Sequence, residues 1–244
     1  MRLSIASTFA LALVASPCFA RPVPGDTPSP AIQSETQSDP QSQTEARTEV
    51  QPAPAPAHLL DADPAKWSFS AAINVYVVPD DREYIQPTLT ADRDWLHLEA
   101  RYNYESLDTT SIWGGYNFSG GKSLEWELTP MIGAVFGEVN GVAPGLKLSL
   151  TCGKVQFYTE DEFVFDTNDS SNNFFYSWSE LSLAPVEWFR FGIVAERTRL
   201  YESDREVQVG PLIGLTFDHF SITGYALNPD QGEPTFIISV GVNF

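Results

Sequence analysis

Three histidines, His58, His97 and His219, are all the imidazoles in this 244-residue chain. His219 stands two residues before Ser221 in "DHFS". In an extended segment that spacing puts both side chains on one face, where a base can reach a hydroxyl nucleophile. His97 and Glu99 share the same spacing in "HLEAR", which suits an acid/base pair or, equally, a closed hydrogen-bond network. The acidic runs Asp80-Asp81 and Glu202/Asp204 carry ligands of the kind that take Ca²⁺ or Mg²⁺, for instance between lipid phosphates. Their spacing matches no defined calcium loop. Gly114-Gly115 and Gly120-Gly121 form no phosphate cradle and suit strand bends and turns. No metal and no cofactor is expected.

Chemistry this sparse shifts attention to the elements that carry it. The chain has 14 basic and 32 acidic residues. Such a balance offers no basic face for phosphate, so nucleic acid is not an expected partner. The N-terminal "MRLSIASTFALALVASPCFA" has one positive charge, an apolar stretch from Leu3 to Val14, and small residues at 18 and 20. It reads as a signal peptide of residues 1–20, too short for a spanning helix. A lipidated Cys18 is disfavoured by the preceding Pro17. Cleavage removes Arg2 and no acid, leaving 13 bases against 32 acids and a formal charge of −19. It also removes Cys18, so the processed chain would carry Cys152 as its one cysteine and no internal disulfide.

Residues 21–65 hold nine of the chain's 18 prolines and no aromatic residue. A segment so poor in apolar side chains cannot offset its chain entropy and is expected to be a disordered, Pro/Gln/Ser-rich periplasmic leader. Its "QPAPAPA" favours polyproline II.

From 66 to 244 the apolar pattern has period two. Segments such as "KWSFSAAINVYVV", "DWLHLEARYNYES", "KVQFYTEDEFVFD" and "PTFIISVGVNF" are near the length a tilted membrane strand needs, about ten residues. About twelve of them follow one another. The connections alternate between polar loops ("PDDR", "LD", "EVNG", "TNDSS", "ESDR", "PDQGE") and tight links ("RD", "SGGK", "GK", "PV", "DH"). This is the pattern of an all-β, transmembrane, up-and-down antiparallel barrel with long loops at one end and short turns at the other.

Alternation also sorts faces. In the third strand Leu96, Leu98, Ala100, Tyr102 and Tyr104 would face lipid, and His97, Glu99, Arg101 and Glu105 the lumen. The expected lumen set continues with Glu125, Glu127, Lys147, Glu160, Glu162, Glu180, Arg190 and Glu196. Arg101 is expected to find its carboxylates in this neighbourhood, with Glu125 and Glu127 two strands away in reach. Trp67/Phe69, Tyr116/Phe118, Leu124/Trp126, Phe189/Phe191, Phe217, Phe220 and Phe244 gather at the turn ends. Tyr102/Tyr104, Phe136 and Phe163/Phe165 gather at the loop ends. Two aromatic belts around an aliphatic band suit two membrane interfaces.

The final "FIISVGVNF" resembles the C-terminal signal of Gram-negative outer-membrane β-barrel proteins, with Phe236, Ile238, Val240, Val242 and a terminal Phe244. The resemblance implies location in the outer membrane, surrounding lipids, and recognition by the barrel-assembly machinery. It does not imply an activity. The acid-rich lumen suits a narrow, cation-leaning pore or passive transporter for small solutes and makes an anionic sugar a poor fit. The same groups would also suit a salt-bridged plug in a structural or surface-interaction barrel. A lipid-modifying enzyme is the third reading: "DHFS" resembles the His-x-Ser pair of outer-membrane phospholipases and lipid A deacylases. It departs from them in falling at a periplasmic turn and in lacking a third residue to orient His219.

Processing gives the first test. Intact-mass measurement of the exported protein should place its N-terminus at Arg21.

Overall fold

The computed structural model describes residues 66–78, 83–200, 206–230 and 234–244. The expected signal peptide and leader, His58, Asp80-Asp81 and Glu202/Asp204 lie outside the described residues. Nearly everything described is strand: β1 (Ser68–Val77), β2 (Tyr84–Arg93), β3 (Leu96–Tyr102), β4 (Thr109–Tyr116), β5 (Phe118–Gly121), β6 (Glu125–Gly137), β7 (Gly141–Cys152), β8 (Val155–Asp166), β9 (Phe174–Val186), β10 (Phe189–Leu200), β11 (Glu206–Phe217), β12 (Phe220–Leu227) and β13 (Thr235–Asn243). A single helical turn spans Ser170–Asn172.

Every pairing is antiparallel. β13 closes on β1, with Ser70 opposite Asn243 and Val77 opposite Phe236. Both β4 and β5 pair with β6, and they are two parts of one strand. Their register runs on unbroken from Gly115 opposite Met131 to Phe118 opposite Leu128. The gap between them falls beside Pro130, which has no N–H to give to a ladder. Counted this way the sheet is a closed barrel of twelve strands, the expected architecture, and closure leaves no strand edge unpaired.

Turn chemistry sets the two ends. Asp94, Gly153 and Asp218 have positive φ in two-residue turns, the geometry that matches strand twist and that Asp and Gly tolerate. The opposite end carries the longer connections, including 103–108 and 167–173.

Burial follows the alternation. In β3 His97, Glu99 and Arg101 are buried inside the barrel while Leu98 is 41% exposed on its outer wall. Phe236, Ile238 and Val242 are exposed on β13, and Phe244 beyond it. At the turn end the outer aromatics pack against one another in sets. Trp67, Phe69 and Phe244 form one, Trp95, Tyr116 and Phe118 a second, and Trp188, Phe189 and Phe191 a third.

One facing differs from expectation. Tyr104 lies inside, packed against Tyr176 and Arg101, and not on the outer belt with Tyr102. The strand ends at Tyr102, and Asn103 has φ 56°, so the chain reverses and the two-residue alternation lapses.

Inward-facing glycines make room for large side chains laid flat on the wall. The Trp113 ring covers Gly133 and Gly145, and Arg190 covers Gly214. A Cβ at 133 would fall 2.5 Å from the Trp113 ring. Gly133→Val should therefore lower stability by about 1–3 kcal/mol through overpacking, measured by urea unfolding of the refolded barrel.

Candidate functional site

Arg101 is the centre of the lumen. Its side chain has no exposed surface. The guanidinium lies 4.2 Å from the Tyr104 ring and 4.6 Å from the Trp113 ring, so aromatic faces cover the plane and carboxylates take its edge. Nε donates to Glu99, and Nη1 donates to Glu162 at 2.9 Å and lies 3.9 Å from Glu105. Nη2 approaches Glu160 Oε1 to 2.6 Å, off the N–H direction, so this is a charge contact and neither atom has a hydrogen-bond partner.

The network extends toward the turn end. Lys147 Nζ donates to Glu99 and lies 3.8 Å from Glu160. His97 reaches Asp92 through Nδ1 at 2.8 Å and Glu99 through Nε2 at 3.1 Å. Both partners are acceptors when ionised, so only the doubly protonated imidazole satisfies both contacts. Five carboxyl groups (Asp92, Glu99, Glu105, Glu160, Glu162) thus surround three basic ones. Even with His97 charged, the acids exceed the bases.

Glu125 and Glu127 were expected beside Arg101, and they are not among its partners. Arg101 pairs in register with Ser111, and Ser111 with Val135. Glu127 lies eight residues before Val135 along β6, about 26 Å at about 3.3 Å per residue. Both glutamates keep the inward parity of β6, at its turn end. Their place at Arg101 is taken by Glu160 and Glu162 of β8, which reach it from across the lumen.

A second charged group is separate. Arg190 donates to Glu180 at 2.6 Å and to Thr223 at 3.1 Å. The other Glu180 oxygen accepts from Trp178 Nε1 at 3.0 Å and from the Tyr225 hydroxyl at 2.8 Å. Glu196, on β10, is half-buried.

Toward the loop end the lumen is packed. One apolar cluster holds Trp113, Met131, Val135, Ala143, Val164, Phe174 and Tyr176. Another holds Tyr76, Val194, Leu212, Tyr225, Leu227 and Ile237. Trp178 touches both, so they meet across the lumen. Below this packing is a cavity of about 200 Å³. Its wall comes from nine strands around the ring and includes Glu99, Lys147, Glu160, Glu180 and Arg190.

The His219/Ser221 pair is not assembled. His219 sits in the turn with its side chain 71% exposed, 3.6 Å from Asp218, while Ser221 is buried inside the barrel. Among the described residues no group of three or more His, Cys, Asp or Glu side chains could hold a metal ion.

Sequence reasoning missed the aromatics of the lumen: Trp113, Tyr158, Tyr176, Trp178 and Tyr225. Strand parity alone places Trp113 opposite in facing to Ile112. The expected belts draw aromatic residues outward, and the expected lumen set holds only titratable ones.

No protein-family model matches the sequence, and no curated protein matches it. Solved structures match the fold. The KdgM porin matches with a TM-score of 0.52 at 9% identity, over 72% of this chain and 99% of that one. The KdgM porin in complex with disordered oligogalacturonate matches at 0.50 and 8%, over 72% and 99%. The Acinetobacter baumannii outer membrane protein Omp33 gives 0.43 at 8%, over 73% and 98%. The first two show that this chain shares a barrel fold with a porin.

Removing Arg101 would leave buried carboxylates without their cation. Arg101→Met should destabilise the barrel by about 3–5 kcal/mol, read by urea unfolding in lipid vesicles. Adding Glu162→Gln to that variant should recover part of the loss.

Proposed function

We propose that this chain is an outer-membrane β-barrel that acts as a narrow, cation-leaning pore for small solutes. The observation that carries the reading is the cavity of about 200 Å³ inside the ring, walled by polar and charged side chains of nine strands. A barrel built only as a scaffold has no need to keep such a space open and lined with ionisable groups. The porin fold shared at the level of backbone supports the same reading.

Membrane placement rests on the outer wall. Ile73, Leu89, Ile112, Ile132, Ile193 and Ile213 expose an aliphatic band, and packed aromatics border it at the turn end. Water would not tolerate so large an apolar surface, and lipid would. The alternating, outward-facing C-terminal strand is the segment offered to the assembly machinery, with Phe244 as its terminal aromatic. The leader of residues 21–65 then begins on the periplasmic side, with the short turns.

Cation preference follows from charge. The Arg101 network has more acids than bases, and Glu125 and Glu127 add carboxylates at the turn end. An anionic solute would meet this field from the periplasmic mouth onward. An anionic ligand is in the name of one structure of similar fold, where it is said of that protein alone.

A plugged, structural barrel is the second reading, favoured by the loop-side packing in which Trp178 joins both apolar clusters. Planar-bilayer recording separates the two. The pore should give small, cation-preferring conductance steps. Replacing Glu125 and Glu127 with Gln should weaken that preference, more at low salt, where screening is weaker. Absence of steps under all conditions would establish the plug.

A further inference from the structure

The cavity has two kinds of wall. Its charged groups are engaged mainly with one another, although Glu160 Oε1 and Arg190 Nε have no hydrogen-bond partner. Glu99 is held by Arg101, Lys147 and His97, Glu180 by Arg190, Trp178 and Tyr225, and Glu160 by Tyr158 and Arg101. Its neutral polar groups are not. Asn74, Thr88, Gln156, Ser182 and Ser239 line the cavity, and none of these side chains has a hydrogen bond within the described protein. Gln156 and Ser182 are only 8% and 4% exposed, so the cavity is the space their polar atoms face. Amides and hydroxyls that face a cavity without a protein partner are free to bond to what enters it, water or a solute that displaces water.

These groups are arranged as facing pairs. Asn74 is directly opposite Ser239 across β1 and β13, and Gln156 is directly opposite Ser182 across β8 and β9. In a ring of twelve, β1 and β8 stand on opposite sides, since β4 and β5 count as one. The cavity is therefore gripped from two sides by donor-and-acceptor pairs. Its remaining surface includes the rings of Tyr158, Tyr176, Trp178 and Tyr225.

We propose that this cavity is a binding subsite for an uncharged polyhydroxyl solute of about hexose size. Size fits: an apolar cavity of about 150 Å³ takes benzene, so about 200 Å³ takes a somewhat larger single molecule. Chemistry fits: amide and hydroxyl side chains both donate and accept, as sugar hydroxyls do, and aromatic faces suit the C–H face of a sugar ring. Charge fits least for ions. The acid excess lets a cation pass, but to lodge here it would compete with Lys147 and Arg190 for the carboxylates they hold, and an anion would face that excess. The proposal rests on the pore reading for access to the subsite, but binding and conduction are measured separately.

The test uses the full refolded barrel in detergent, with glucose, glucuronate and glucosamine as probes in saturation-transfer NMR. Glucose should bind, and the two charged sugars at least about fivefold more weakly. Gln156→Ala with Ser182→Ala should weaken glucose by about fivefold or more, as for a lost hydrogen bond. Asn74→Ala on the opposite wall should weaken it too, and heat-modifiable migration confirms folding of each variant. Equal or tighter binding of a charged sugar would overturn the proposal, as would glucose binding unchanged in both folded variants. A barrel that conducts ions but neither binds glucose nor is blocked by it sinks the subsite and leaves the pore. Glucose binding in a barrel that never conducts keeps the subsite and sinks the pore.

Discussion

A guanidinium with no contact to bulk water sits at the middle of this barrel, and the interior is arranged around that fact. Burying an unpaired arginine is prohibitive, so Arg101 needs carboxylates, and four lie within ion-pair distance. They come from β3, from the loop after it, and from β8, on the far side of the lumen. The contact therefore ties remote strands together, as do Lys147 with Glu99 and Tyr225 with Glu180. It also brings more acid than base into a confined space, which gives the lumen its electrostatic sign.

The same constraint orders the lumen along its axis. Above the network the inward side chains are apolar and meet across the barrel, with Tyr104 and Trp113 covering the guanidinium faces. Below it small polar groups stand among the charged ones and a cavity remains. Glycine placement makes this division possible. Trp113 and Arg190 lie flat because Gly133, Gly145 and Gly214 present no Cβ under them. Lumen width is thus set locally by which wall residues are glycine, and not by strand number alone.

Alternation made some of the structure legible. Period-two patterning with alternating long and short connections gave twelve strands, because a strand has only two faces and a barrel gives each a different solvent. The facings of His97, Glu99 and Arg101 follow from the same rule. It lapsed at Tyr104, where positive φ at Asn103 ended the strand. It also failed to pair Arg101, since parity fixes the face of a side chain but not its height or its partner across the lumen. Glu125 and Glu127 have the right facing at the wrong level, and an aromatic side chain suits a membrane interface and a lumen wall alike, so residue type does not separate the two.

The amino-acid sequence by itself determined what each residue can read locally: strand, turn, inward or outward facing, and acid excess. These depend on contacts within a few positions, so a linear reading contains them. Only the tertiary structure decided that β8 supplies the carboxylates of Arg101. It alone decided that His219 and Ser221 part company at a turn, and that Asn74–Ser239 faces Gln156–Ser182 over an open space. Those relations span the lumen, and their distances depend on register and closure around the whole ring, which no local pattern encodes.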